Sequence, residues 1–238
     1  MRRNPPTDPL PDNSGGATGP ADDSDETGQY QIHRRDTFPA SGRNVAFSLN
    51  SGPKLTGSFE ARLSWDVAAS PDDIVIHLSA FLLDSSARVP VGNPYYCVNH
   101  DNDRSKDGST LRRGRRRHGS NISDETISVD LDYVDEDVMK IAFVAYIQDA
   151  EPLDHSFEKL VGGKVTFKNT PKVDRTGSTV TPQIEPHLLD SDYFKTDTAV
   201  IIGELVRRRE AWTWREVGKG FADLVDVGEE FGVVFIAE

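Results

Sequence analysis

Residues Ser58–Asp66 read SFEARLSWD, with an apolar side chain at every second position. The apolar positions are Phe59, Ala61, Leu63 and Trp65, and the residues between them are polar or charged. Because successive side chains of a β-strand point to opposite faces of a sheet, this alternation predicts a strand with one face in a core and one in water. Patterns of the same kind in other segments predict the fold class of the whole chain.

Several other segments have strand patterns and are separated by turn-rich loops. Thr126–Tyr133 alternates in the same way, and we expect Ile127, Val129, Leu131 and Tyr133 to point inward. Apolar residues on both faces are typical of central strands. The remaining predicted strands are Ile74–Asp84 and Met139–Gln148, both central, and Lys164–Lys168 and Thr198–Arg207.

Helical periodicity is scarce, and Phe221–Val227 is the one segment that we predict as a short helix. Several strands with turn-rich connections and little helix predict an all-β fold, a two-sheet antiparallel β-sandwich with at most one or two short helices. We place this sandwich in residues 41–238. Residues 1–40 are predicted to be a disordered acidic N-terminal tail, since Pro5–Thr27 is rich in Pro, Gly, Asp and Ser and has almost nothing to bury.

The charge and the cysteine content limit the functional classes. The 238 residues carry a formal net charge of -12, and such a chain is a poor general binder of nucleic acid because phosphate repels it. Cys97 is the single cysteine, so no intrachain disulfide forms, which fits a reducing compartment; we expect it to be buried and inert. No signal peptide or bilayer-spanning run is visible, so a cytoplasmic protein is expected.

A long polar stretch between Asn99 and Asp124 is predicted to be a loop, and loops of this length are usually functional or disordered. It contains a basic run that is a candidate site for an anion or a partner. The alternatives are a solvated surface loop and contact with the acidic tail or with nearby carboxylates of the same chain. The candidate binding residues are Arg112, Arg113, Arg115, Arg116 and Arg117.

Other conspicuous residues have plain structural interpretations. His77 lies in an apolar strand, so we expect a packed, hydrogen-bonded histidine rather than a ligand. Trp212 and Trp214 are two positions apart on one strand face, which favours core packing over an exposed aromatic platform for a sugar. Asp135–Asp137 reads as an exposed turn. No nucleophile elbow, phosphate loop or zinc-protease signature is present, so no enzymatic activity is predicted.

An ordered set of motifs occurs at Leu63–Asp66, Ser79–Asp84, Ser105–Ser109, Thr196–Arg207, Trp212–Phe221 and Phe231–Val233. Together they resemble the TerD family of tellurium-resistance and stress-response proteins, over roughly residues 44 to 236. The first three segments match the family's L-x-W-D, S-A-F-L-L-D and S-x-D-G-S, in the right order. The last three are similar to its T-E-T-A-x-x-x-G-E-L-Y-R, its W-K-F-x-A-V-G-x-G-Y and its closing Y-G-V.

This resemblance implies a two-sheet β-sandwich and calcium binding by an acidic loop region. Calcium takes six to eight oxygen ligands, and here the family's first ligand motif, D-L-D, is replaced by Val75-Ile76-His77. In the second, acidic motif, the aspartate after the first glycine falls at Arg115. Four acids that match the pattern remain as a residual metal site, and we expect weak or no calcium binding. They are Asp66, Asp73, Asp124 and Glu125.

The same substitution suggests that arginine takes over the structural task of the cation. Arg115 and Arg116 are predicted to neutralise Asp66, Asp124 and Glu125, because guanidinium pairs well with carboxylates. The expected function is that of a non-enzymatic binding module working with other tellurium-resistance or stress proteins, or with a membrane-associated complex. We expect no specific nucleic acid and no small-molecule substrate.

Two alternatives stay open at this point. The first is a calcium-binding protein with a rearranged site that uses Asp101, Asp103 and Asp107. The second is a β-sandwich module that binds carbohydrate.

Overall fold

A computed structural model of the protein describes residues 54–71, 74–90, 93–118, 122–173, 182–209 and 211–233. The predicted acidic tail, residues 1–40, lies outside these ranges. The β-strands, with two 3-10 helices at Pro94–Tyr96 and Phe157–Lys159, precede one α-helix. The strands and the helix are β1 (Ser58–Asp66), β2 (Ile76–Leu83), β3 (Cys97–Val98), β4 (Thr110–His118), β5 (Ile122–Asp130), β6 (Lys140–Ile147), β7 (Lys164–Thr170), β8 (His187–Leu188), β9 (Ala199–Arg208), β10 (Ala211–Phe221) and α1 (Leu224–Phe231).

The strands form two five-stranded sheets, and every strand pairing is antiparallel. One sheet has the order β4-β5-β1-β7-β8, and the other has the order β10-β9-β6-β2-β3. The predicted all-β sandwich is therefore confirmed. Within the described residues, no helix is long and apolar enough to cross a membrane.

β1 lies in the middle of its sheet and carries the core of that layer. Phe59, Ala61, Leu63 and Trp65 are all buried, as the alternation predicts. Phe59 stacks on Trp214 with ring centroids 5.5 Å apart and lies 5.6 Å from Phe143 of the opposite sheet. Burial of a large apolar side chain contributes about 1.5–3 kcal/mol, so this aromatic contact holds the two sheets together.

β2 and β6 are buried on both faces, as predicted for central strands, and β9 is buried on both faces over most of its length as well. The α-helix helps to cover the outer face, where Phe231 packs on Phe81 at 5.0 Å. The helix starts three residues later than predicted, at Leu224, because the Asp223 carboxylate caps it by accepting a hydrogen bond from the backbone N–H of Asp226 at 2.8 Å. It ends at Gly232, whose φ of 71° suits a glycine C-cap.

Cys97 lies in the short strand β3 and is buried, as predicted. Desolvation by burial raises the pKa of its thiol to about 12. The thiol therefore stays protonated at neutral pH, and the folded protein does not present a thiolate at this position.

Two sequence predictions about local structure are wrong. Tyr133 does not point inward, since β5 ends at Asp130 and a turn, closed by the hydrogen bond from the backbone N–H of Tyr133 to the carbonyl of Asp130, breaks the alternation. Tyr133 is 72% exposed. The stretch 99–124 is not one long loop, because Thr110–His118 is a strand that forms a hairpin with β5. Its arginine-rich composition hides the strand pattern.

Trp212 and Trp214 pack in the core, as predicted. Trp212 is buried and donates its indole N–H to the carbonyl of Leu131 at 3.3 Å. Trp214 packs on Phe167, with ring centroids 4.3 Å apart. With both indoles engaged, this strand offers no free aromatic platform for a sugar ring.

The packing of Trp214 gives a test of the core. A Cβ added at Gly203 would lie 2.4 Å from the indole of Trp214 and 2.8 Å from the carbonyl oxygen of Arg215. We expect Gly203→Ala to lower the free energy of unfolding by about 1–3 kcal/mol, measured by urea denaturation. Gly114→Ala is the control, because among the residues that the structure describes its Cβ would approach just Arg112, at 3.7 Å. Equal stability of the two variants would contradict this packing.

Candidate functional site

Glu125 is a buried carboxylate that points between the two sheets. It lies on β5, opposite the core residue Leu63 of β1, and is 1% exposed. Its neighbour Asp124 pairs with Ser64 and faces the other side of the sheet, where its carboxylate contacts the guanidinium of Arg62. Because adjacent strand residues point to opposite faces, these two carboxylates do not share one ligand shell.

Arg112 supplies the positive charge beside Glu125. It lies on β4 opposite Ile127, two residues along β5 from Glu125, so both side chains enter the same face. Its Nη2 forms an ion pair with Glu125 Oε1, and its Nη1 donates to Asp103 Oδ1 at 2.8 Å. The guanidinium is buried, and it joins the interior carboxylate to one at the surface.

The second carboxylate oxygen of Glu125 binds a backbone amide at the edge of β2. Glu125 Oε2 accepts a hydrogen bond from the backbone N–H of Leu78 on β2 at 2.9 Å. β3 pairs with Ala80 and Phe81 of β2, so in the described part of the chain the edge of β2 next to Leu78 has no strand partner. A buried amide without an acceptor is costly, and the carboxylate satisfies it while linking the two sheets.

His77 packs against the pair, and the prediction of a hydrogen-bonded core histidine is confirmed. Its Nε2 lies 2.9 Å from Gln148 Oε1. Since a carbonyl oxygen only accepts, the amide assigns the ring proton to Nε2 and leaves Nδ1 as an acceptor. Nδ1 is 3.3 Å from Nη2 of Arg112 and 3.4 Å from Oε2 of Glu125.

His100 completes the cluster from the loop after β3. Its ring stacks on His77 with centroids 4.7 Å apart and an interplanar angle of 8°. Nδ1 lies 2.6 Å from the hydroxyl of Tyr146, and Nε2 is 3.2 Å from Asp101 Oδ1. Ring nitrogens of parallel stacked imidazoles direct their lone pairs along parallel planes, so the two histidines do not converge on one metal ion.

Burial tunes the protonation of this cluster. Desolvation and the neighbouring His77 ring lower the pKa of His100, so its neutral form is favoured. Desolvation also raises the pKa of the Tyr146 phenol, which is buried. The cluster orders a protonated phenol inside the protein, and it does not activate an exposed nucleophile.

The acids that match the family's calcium pattern do not fit a calcium site. Asp66 Oδ1 accepts the backbone N–H groups of Ala68 and Ala69 at 2.9 and 3.3 Å, while Asp124 and Glu125 are paired with different arginines on opposite faces. Asp73 lies outside the described residues. Among the residues that the structure describes, no three His, Cys, Asp or Glu side chains form a group that could hold a metal ion.

The acids of the rearranged calcium site also have separate partners. Asp101 contacts His100, and Asp103 contacts Arg112. Asp107 accepts hydrogen bonds within its own turn, including one from the Ser105 hydroxyl at 2.5 Å. These carboxylates organise the loop before β4 through three different sets of contacts.

The basic run is divided by the structure. Arg112 is buried against Glu125, which corrects its predicted position in a surface loop, whereas Arg113 is exposed on the opposite face of β4. The side chains of Arg115, Arg116 and Arg117 lie outside the described part of the chain, so their proposed roles stay predictions. The arginines that pair with Asp124 and Glu125 in the structure are Arg62 and Arg112, respectively. Contact of the basic run with a nearby carboxylate was one of the open alternatives, whereas the role of Arg62 was not predicted.

Because the Arg112–Glu125 ion pair is buried, replacing one of its residues should destabilise the protein strongly. We expect Arg112→Met to lower the free energy of unfolding by roughly 3–5 kcal/mol, because Glu125 is left charged inside the core. Urea denaturation measures the loss. Lys172→Met is the control, since Lys172 forms an ion pair with Asp132 at the surface and no measurable loss is expected. A small loss for Arg112→Met would contradict the assignment of the charge.

His100 predicts a loss of stability in mild acid. The unfolded chain takes up a proton at His100 near pH 6.5, while the folded protein resists it, so stability falls as the pH drops below about 6.5 towards the folded-state pKa. We expect His100→Gln to lose less free energy of unfolding than the wild type between pH 7.5 and pH 5.5. Urea denaturation at both pH values checks this, and equal losses would refute it.

Comparison with known proteins places this geometry in a family. The sequence profile of the TerD domain matches residues 41–227. The tellurium resistance protein TerD of an Alcaligenes species is 31% identical over 195 residues, covering 81% of this chain and 95% of that protein. General stress protein 16U of Bacillus subtilis is 27% identical over 175 residues, covering 72% of this chain and 85% of that protein.

The fold has a counterpart among solved structures. The crystal structure of a homologue of telluride resistance protein (TerD) from Streptomyces coelicolor A3(2) superimposes with a TM-score of 0.54 at 22% identity, covering 76% of this chain and 99% of that chain. At this identity the likeness concerns the fold. The domain profile spans most of the chain, and the protein therefore belongs to the TerD family.

Proposed function

We propose that this TerD-family protein is a calcium-independent, non-enzymatic binding module that serves in tellurium resistance or the response to chemical stress. Relatives named as tellurium resistance and general stress proteins support the biological role. The single observation that supports calcium independence is the buried ion pair between Arg112 and Glu125. Its expected setting is the cytoplasm, with other resistance or stress proteins, or a membrane-associated complex, as partners.

Charge balance around the buried Glu125 carboxylate supports calcium independence. An isolated carboxylate in a core is unstable unless a cation or hydrogen-bond donors compensate it. Glu125 has both, from the Arg112 guanidinium and the Leu78 amide. A dication added beside Arg112 would be repelled by the guanidinium and would find too few free oxygens, since calcium takes six to eight.

The contacts around the cluster also support a role without catalysis. His77 and His100 are engaged at both ring nitrogens, and Tyr146 is buried with its hydroxyl against His100. A general base needs access to a substrate proton at hydrogen-bond distance. His77 and Tyr146 are buried and His100 is exposed, and the polar atoms of all three side chains already contact protein groups, which supports a structural role. Other surfaces are left for recognition of a partner.

Calcium titration tests this proposal. We expect isothermal titration calorimetry to show no calcium binding tighter than about 1 mM, the weak end for oxygen-ligand sites. The melting temperature of the wild type should be the same in calcium and in a chelator. Tighter binding that disappears in Glu125→Gln would overturn the proposal.

A pair of variants provides the matched control. Arg112→Ala leaves Glu125 without its cation, so this variant should melt at a lower temperature than the wild type. The double variant Arg112→Ala/Glu125→Ala removes the carboxylate as well, and its melting temperature should depend on calcium no more than that of the wild type. A calcium-dependent stabilisation of the double variant would point to a different site.

A further inference from the structure

The outer face of the sheet β4-β5-β1-β7 carries a group of exposed cations. Arg113 of β4, Arg62 of β1, and Lys164 and Lys168 of β7 are all exposed. Register places Arg113 opposite Thr126, Thr126 opposite Arg62, and Arg62 opposite Thr166, so Arg113 and Arg62 lie in one row across the sheet. Lys164 and Lys168 lie two residues either side of Thr166, on the same face of β7. We call Arg62, Arg113, Lys164 and Lys168 the cationic face.

Charge compensation is unequal on this face. Arg62 is neutralised by Asp124. Within the part of the chain that the structure describes, Arg113, Lys164 and Lys168 have no carboxylate within ion-pair distance.

Other carboxylates beside the face do not complete the balance. Glu60 lies opposite Lys168 in the register without forming an ion pair, and Asp66 is occupied by backbone amides. By contrast, other exposed lysines such as Lys172 and Lys195 do have carboxylate partners, each at 2.9 Å. A chain with a net charge of -12 thus leaves positive charge uncompensated on one sheet face.

The chain contains a segment with the complementary charge. Asp22, Asp23, Asp25 and Glu26 place four carboxylates within five residues, ahead of the described structure, which begins at Lys54. An extended stretch of five residues spans about 15 Å. The row from β4 to β7 crosses three strand spacings, about 14 Å, so the segment and the face match in length.

We infer that the segment Asp22–Glu26 docks across the cationic face and neutralises Arg113, Lys164 and Lys168. The connection to Lys54 is long enough to reach the face, since an extended chain covers up to about 3.3 Å per residue. A tethered segment acts at an effective concentration of about millimolar, which lets weak ion pairs compete against external anions. The docked segment therefore competes with an external anionic partner for the same three cations.

Zero-length carbodiimide cross-linking of the full chain tests the contact, because it joins an amine to a carboxylate only when they touch. Mass spectrometry should find Lys164 or Lys168 joined to the segment 22–26, and about 0.5 M salt should reduce these products by screening. The Lys172–Asp132 and Lys195–Asp192 pairs serve as internal positive controls. The inference is overturned if both control cross-links form but neither Lys164 nor Lys168 is joined to the segment 22–26. A cross-link of Lys168 to Glu60 alone would have the same meaning.

Binding of a polyanion tests the consequence. Replacing the four acids (Asp22→Asn, Asp23→Asn, Asp25→Asn, Glu26→Gln) should strengthen the binding of fluorescent polyglutamate roughly tenfold, because the internal competitor is gone. The matched control makes the same charge change at four exposed acids elsewhere: Asp137→Asn, Glu151→Gln, Asp154→Asn and Asp192→Asn. The inference is wrong if the control variant gains as much affinity for polyglutamate as the tail variant does. It is also wrong if the wild type binds polyglutamate as tightly as the tail variant. Tight binding of the wild type to a single-stranded RNA oligonucleotide would likewise contradict a docked segment.

Discussion

A single buried carboxylate governs how the two sheets meet. Glu125 enters the space between the layers, and a charge in that position is tolerated only with compensating partners. Arg112 supplies the charge from β4, and the amide of Leu78 supplies a donor from β2. The same carboxylate thus fixes the hairpin β4–β5 against the opposite sheet at a point where β2 has lost its strand neighbour.

The side chains around the Arg112–Glu125 ion pair form a connected polar network. Nε2 of His77 faces Gln148 and Nδ1 faces Arg112, and His100 extends the network to Asp101 at the surface. Asp103 extends it by a second route through Arg112. Polar groups in the interior are therefore connected to solvent-exposed acids, which is how a low-dielectric core accommodates several of them.

The sequence predicted the fold well, because alternation and apolar runs are local signals. Ser58–Asp66 is a strand with the expected buried face, and the central strands fall where both faces are apolar. The pairing of Arg112 with Glu125 was not predictable from the sequence. Arg112 looks like its neighbours in a basic run, and only pairing opposite Ile127 turns it inward towards Glu125. A register between distant strands is set by tertiary packing, which one sequence does not display.

The burial of Cys97 affects how the protein reacts with oxidants and electrophiles. Oxidants and electrophiles attack thiolates, and their rate depends on the thiolate fraction and on access. The only sulfhydryl of this protein is shielded within β3 and held in its protonated form. The native fold thus offers such reagents no thiolate at Cys97, and covalent damage at this residue has to wait for the sandwich to open.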